Sequence, residues 1–131
     1  MKKEYLKLAA EAKKAMKKAY CPYSSFSVGA AVLTETGGIY TGANIENASY
    51  GLSCCAERVA VFKAVSSGAK AIKAVAVACS GKKAAMPCGA CRQVISEFGR
   101  NADIVIAGKR GIKTVRLAKL LPYSFGKGDL R

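Results

Sequence analysis

The chain has 131 residues, 51% of them apolar, with 22 Lys and Arg against 8 Asp and Glu and a formal charge of +14. That length supports one packed domain, residues 1–131, and is too short for two. It offers no unbroken run of about 18 apolar residues for a membrane span, and the Lys-studded stretch from Met1 to Ala19 does not read as a signal peptide, so the expected location is the cytoplasm.

Six Cys in an intracellular chain are expected to work as thiolates rather than as disulfides. The excess of positive charge would draw polyanions. The cations are scattered over helix faces and turns, however, without the interleaved aromatics of a base-stacking groove, and a nucleic-acid partner is not expected.

In chain order, Tyr5, Leu8, Ala9, Ala12, Met16 and Ala19 recur at three- and four-residue spacing, which predicts an amphipathic helix over Lys3 to Ala19 that packs on a sheet. Pro22 ends it, and Tyr23 to Ser27 read as a loop. Val28 to Thr34 and Ile39 to Gly42 flank a Gly-containing turn and predict an antiparallel hairpin. Beyond it, Asn44 and Glu46 face the same way in an extended chain. Such a pair suits two hydroxyl groups of a ligand; taken alone, the pattern favours a loop turn braced by both side chains.

Cys54 to Ser66 turn helical, with Val59, Ala60, Phe62 and Val65 as the apolar stripe and Gly68 as the stop. Ile72 to Cys79 are nearly all small and apolar, as in a strand covered on both faces. A basic loop, Ser80 to Met86, leads to a second helix over Cys88 to Phe98, with Val94, Ile95 and Phe98 inward. Strands are predicted over Ile104 to Ala107 and Ile112 to Val115, followed by a short helix over Leu117 to Leu121 that Pro122 stops. Strand, helix and strand alternate, so the expected fold is a three-layer α/β/α domain with right-handed crossovers.

The chemistry concentrates at Ser53 to Arg58 and Pro87 to Cys91. A Cys-x-x-Cys pair at a helix start, Cys88 and Cys91, turns two thiolates to one side of the first turn, and Cys55 at another helix start supplies a third. The chain has no His to complete a tetrahedron, so a zinc ion held there keeps an open position, the mark of a catalytic site. The positive ends of two helices favour the thiolates. Three thiolates on a divalent cation leave one negative charge in excess, which Arg58 is placed to offset by hydrogen bonding to sulfur; a surface salt bridge is the other use open to it. Glu57 is the proton carrier at hand.

Cys55, Ala56 and Glu57, with Pro87, Cys88, Gly89, Ala90, Cys91, Arg92 and Gln93, resemble the signature of the small cytidine deaminases. The likeness extends to Tyr20, Pro22, Phe26, Val28 to Ala31, Asn44 to Tyr50 and Leu120 to Phe125. It implies a cytidine-deaminase-like α/β/α fold with a mixed five-stranded sheet, one zinc per chain, and hydrolysis of cytidine and deoxycytidine to uridine and deoxyuridine with release of ammonia, as in pyrimidine salvage. Glu57 would move protons between water, ring N3 and the departing amine, with the Ala56 N–H reading the ring's edge. Phe26 would lie against the nucleoside, and Asn44 and Glu46 would take the ribose hydroxyls. Ala48, Tyr50 and Phe125 match residues that neighbouring chains contribute in a homotetramer, and Gln93 is expected to back the sulfurs beside Cys91 as Arg58 does beside Cys55.

Two other readings stand beside this one. The same chemistry can serve a blasticidin-type aminonucleoside or a base within a polynucleotide. A non-catalytic zinc module that binds nucleic acid would need Cys54 as a fourth ligand. Cys21 and Cys54 have no assigned role, and Cys79 is expected to pack in its strand.

Overall fold

The computed structural model describes residues 2–130; Met1 and Arg131, the two ends of the expected domain, lie outside the described residues. Among the described residues five strands form one sheet: β1 (Val28–Thr34), β2 (Ile39–Ala43), β3 (Ile72–Cys79), β4 (Asp103–Gly108) and β5 (Gly111–Arg116). Their order is β2-β1-β3-β4-β5. Only β3 and β4 pair in parallel, so the sheet is mixed, as expected.

Alternation along the central strands divides two cores. Ala30, Val32, Val75, Val77, Ile104 and Ile106 face one way, and Ala31, Leu33, Ala74, Ala76, Val105 and Ala107 face the other. Helix α1 (Lys3–Ala15) covers the second set with Tyr5, Leu8, Ala9 and Ala12. Helices α2 (Ala56–Ser66) and α3 (Gly89–Phe98) and the short α4 (Leu117–Leu120) cover the first. Burial on both faces is why β3 and β4 read as continuous apolar runs.

The α1 side is lined by small residues, and the helix comes very close. A Cβ at Gly29 would stand 2.0 Å from the Ala12 carbonyl oxygen and 2.4 Å from the Met16 nitrogen. Gly29→Ala is therefore expected to force strand and helix apart and lower stability by about 3 kcal/mol, read as a lower denaturation midpoint; an unchanged midpoint would show that α1 can retreat freely.

Three elements differ in detail from their expected form. The first helix is α-helical only to Ala15, and a 3-10 turn follows over Met16–Lys18. Its tighter winding rotates Met16 and Ala19 to half-buried positions, while Ala15 is buried instead. In α2 the inward face is Ala56, Ala60, Val61 and Ala64, and Phe62 is 49% exposed. The α2 backbone packs directly on β2 through other positions: a Cβ at Gly42 would meet the Ala60 nitrogen at 2.5 Å and the Ala56 carbonyl oxygen at 2.7 Å. In α3 the fully buried positions are Cys91 and Ile95, with Val94 and Phe98 half-buried on the flanks. No described helix is long and apolar enough to cross a membrane.

Strands β2 and β3 are both antiparallel to β1 and hence parallel to each other. The helices that follow them, α2 and α3, accordingly start at the same end of the sheet. Their first turns meet there, which is where open α/β sheets place their sites.

Candidate metal centre and active site

Cys55 is the N-cap of α2 and Cys88 the N-cap of α3, both with extended backbone, and Cys91 lies in the first turn of α3. An extended cap residue turns its side chain over the open N–H groups of the first turn; the Cys88 sulfur accepts from the Cys91 N–H at 3.4 Å. Cys88 Sγ stands 3.8 Å from Cys55 Sγ and 3.4 Å from Cys91 Sγ. All three sulfurs lie within 4.8 Å of one another. Arg92 secures the approach to Cys88, its Nε donating to the Pro87 carbonyl at 2.8 Å and its Nη1 to the Leu120 carbonyl at 2.8 Å.

The electrostatics of the trio call for a cation. Hydrogen bonding from Cys91 first, then from Arg58 and Cys88, pulls the Cys55 thiol down to about 5 against the opposing effect of burial. The same partnership pushes the Cys91 thiol up, and burial adds to it. One thiolate is thus held by the protein alone, whereas three ionised sulfurs at this spacing repel one another unless a metal sits among them. Arg58 Nη2 donates to Cys55 Sγ at 3.6 Å. Its Nε is buried without a hydrogen-bond partner. Three close, soft donors with a guanidinium beside them fit zinc.

Among the described residues Cys55, Cys88 and Cys91 form the metal-holding group without Cys54. The four-sulfur arrangement that a purely structural zinc module needs is not formed. Cys54 instead bridges to Ile45 through its backbone and borders the cavity next to the sulfurs.

That cavity, of about 300 Å³, brings together Phe26, Asn44, Glu46, Cys55, Ala56, Glu57 and Cys88. Glu57 is only 4% exposed, and burial pushes its carboxyl above the ordinary carboxylate range. Asn44 Oδ1 accepts from the Val28 N–H at 2.8 Å and its Nδ2 donates to the Phe26 carbonyl at 2.8 Å. The Glu46 carboxylate accepts from the N–H groups of Tyr23 and Ser24 at 2.9 and 3.1 Å and from the Ser24 hydroxyl. The Ser24 hydroxyl, chiefly, holds that carboxyl below its usual range. The pair therefore braces the loop that carries Phe26 and also borders the cavity, so both uses read from the sequence are compatible with one geometry.

Other expected residues lie elsewhere. Ala48, Tyr50 and Phe125 are exposed and do not line this cavity in their own chain; Tyr50 is 75% exposed and Phe125 56%. Gln93 Nε2 donates to the Phe125 carbonyl at 3.0 Å, tying α3 to the C-terminal segment. Cys79 is half-buried and donates to the Lys83 carbonyl at 3.2 Å. Ala85 and Met86 also line the cavity, which the sequence pattern did not reveal. The signal available was their position directly before Pro87.

A mixed sheet with two helix starts at one end, three sulfurs shared between them and a buried carboxyl in the adjoining cavity defines the zinc-dependent class of nucleobase deaminases. Residues 2–108 match the family model described as the cytidine and deoxycytidylate deaminase zinc-binding region. The chain belongs to the cytidine deaminase family, and it is a hydrolytic deaminase whose cofactor is zinc. It is 52% identical to a cytidine deaminase of Sporosarcina psychrophila over 95% of this chain and 93% of that one. It is 46% identical to a cytidine deaminase of Halalkalibacterium halodurans, over 94% and 95%. Among solved structures it resembles cytidine deaminase from Burkholderia pseudomallei, with a TM-score of 0.87 and 41% identity over 95% of this chain and 100% of that one.

Proposed function

We propose that this chain converts cytidine and deoxycytidine, with one water, to uridine and deoxyuridine and one ammonia, as a cytoplasmic homotetramer in pyrimidine salvage. The observation that carries the reading is the buried Glu57 carboxyl in the same cavity as the sulfurs of Cys55 and Cys88. The names of the relatives support the substrate.

Cys55, Cys88 and Cys91 hold the zinc, whose bound form supplies a Lewis acid able to lower the pKa of water from about 15.7 to about 7. Arg58 removes part of the excess sulfur charge by its hydrogen bond to Cys55. Glu57 takes the proton of the attacking water and passes it to ring N3, then hands a proton to the leaving amine. A carboxyl raised by burial suits that shuttle, because it binds and releases protons nearer neutral pH. The Ala56 N–H, in the first turn of α2 and so without an acceptor within the helix, meets the polar edge of the base.

Phe26 packs along the nucleoside. Asn44 keeps a second Nδ2 proton, and the Glu46 carboxylate has about four acceptor positions of which three are taken, leaving room for the two ribose hydroxyls. The exposure of Ala48, Tyr50 and Phe125 supports their service in a neighbour's cavity.

The test is a side-by-side assay of cytidine, deoxycytidine, blasticidin S and a short cytosine-containing oligonucleotide, with ammonia measured against substrate lost. The expected result is turnover of both nucleosides with one ammonia per nucleoside. Preferential turnover of blasticidin S or of the oligonucleotide would replace this substrate assignment.

A further inference from the structure

A second hollow, of about 430 Å³, takes no part in the chemistry above. It lies where three segments meet. The end of α1 and the 3-10 turn after it contribute Lys13 and Lys17, the loop between β3 and α3 contributes Lys82 and Lys83, and the turn between β4 and β5 contributes Lys109. No carboxylate lines it. Among the described residues none of these five lysines stands in an ion pair, although Lys14, Lys73 and Lys127 pair with Glu11, Glu4 and Glu97 elsewhere on the surface. An adjoining hollow shares Lys82 and Lys109 and adds Arg110 and Lys113, again with no acid in its lining.

Ordinary causes explain part of this. Lysines near the C-terminal end of α1 answer the negative end of its dipole, which accounts for Lys13 and Lys17. It does not account for five lysines from three separate segments lining one concavity with no carboxylate in the lining. Like charges gathered in this way lower the stability of the fold unless an anion compensates them.

We infer that this hollow is a binding site for a small anion carrying two or more phosphate groups. Its volume is within the range of small-molecule sites, roughly 300–1,000 Å³. Lysine ammonium groups on flexible stems are point charges that adapt to phosphate oxygens of varied geometry. Ser80, also in the lining, accepts from the Ser27 N–H at 3.0 Å and so keeps its hydroxyl proton to donate. A single-stranded nucleic acid is the poorer occupant, because no aromatic side chain lines the hollow and bases would find no surface to stack on. The loop involved is shared with the active site: Ser80 to Ala84 border this hollow, and Ala85 and Met86 border the zinc cavity.

The experiment titrates the zinc-loaded enzyme calorimetrically with inorganic tripolyphosphate, with a nucleoside triphosphate and with a short single-stranded oligonucleotide, all at one fixed ionic strength. Two double variants carry the same loss of charge: Lys82→Ala with Lys83→Ala in the hollow, and Lys3→Ala with Lys7→Ala at the far end of α1. The expected result is one tripolyphosphate or nucleoside triphosphate bound per chain, with affinity at least about tenfold weaker in the Lys82/Lys83 variant and unchanged in the Lys3/Lys7 variant. A nucleoside triphosphate binding tighter than tripolyphosphate identifies nucleotides as the source of the phosphates, and equal affinities identify polyphosphate itself. Heat from zinc chelation would not depend on Lys82 or Lys83. Absence of binding, equal weakening in both variants, or an oligonucleotide that binds more tightly than either phosphate compound and is lost with Lys82 and Lys83 would overturn the assignment.

Discussion

Replacing Glu57 by Gln is expected to lower kcat for cytidine by about 10³- to 10⁴-fold, the upper part of the range for a positioned general acid and base, with zinc content and fold unchanged. The substitution conserves shape in a place where shape matters, since Glu57 is 4% exposed in the first turn of α2. What it removes is the capacity to take a proton and give it back. Glu57 stands next in sequence to Ala56 and two residues after Cys55 of the sulfur trio, so a larger change at this position would confound proton transfer with metal binding. The amide avoids that. The relevant measurements are single-turnover rate, zinc stoichiometry and circular dichroism on one preparation; a rate within tenfold of the parent enzyme would remove Glu57 from the proton path.

Cys91→Ser and Cys54→Ser are expected to separate completely, although both replace one sulfur in the neighbourhood of the cavity. Cys91 is fully buried, 3.4 Å from Cys88 Sγ, and belongs to the group of three. Its loss leaves two thiolates, and a hydroxyl is a far weaker zinc ligand than a thiolate at neutral pH. Zinc should fall to trace level after dialysis and turnover should fall with it. The denaturation midpoint should fall too, because metal binding is coupled to folding. Cys54 borders the cavity but stands outside that group. Its serine variant should keep one zinc per chain and measurable turnover. Stoichiometric zinc in the Cys91 variant, or zinc loss in the Cys54 variant, would mean that the ligand set has been assigned to the wrong sulfurs.

Much of the fold was legible in the residues because its signals are local. The limits of β1 and β3 follow from where apolar runs begin and stop, and the hairpin follows from the Gly37 and Gly38 turn between β1 and β2. The Cys-x-x-Cys spacing with Cys55 and Glu57 marked the metal centre, because ligand geometry and helix capping constrain residues close together in sequence. What escaped depends on contacts between distant segments. Phe62 counts as apolar in any pattern, yet the side of α2 that packs on β2 at Gly42 is the one carrying Ala56 and Ala60, and Phe62 is left exposed. Gln93 stands two residues after Cys91 of the sulfur trio, but the partner that draws its amide is the carbonyl of Phe125, 32 residues away. Asn44 and Glu46 were legible as a pair facing one way and as braces of a loop; that the braced loop is the one carrying Phe26 was not, because its path is set by Ser24, Ser25 in a positive-φ conformation, and Ser80. Ala85 and Met86 carry no chemical mark at all, and only the course of the chain into Pro87 brings them to the cavity.

In the proposed centre three sulfurs of this chain hold a zinc ion and leave its remaining position to a small oxygen ligand. X-ray absorption at the zinc edge on the purified enzyme measures that directly. The expected spectrum contains three sulfur scatterers at about 2.3 Å and one oxygen at about 2.0–2.2 Å, with the sulfur count falling in the Cys91 variant and unchanged in the Cys54 variant. Four sulfurs around the metal, or a shell without sulfur, would contradict the account.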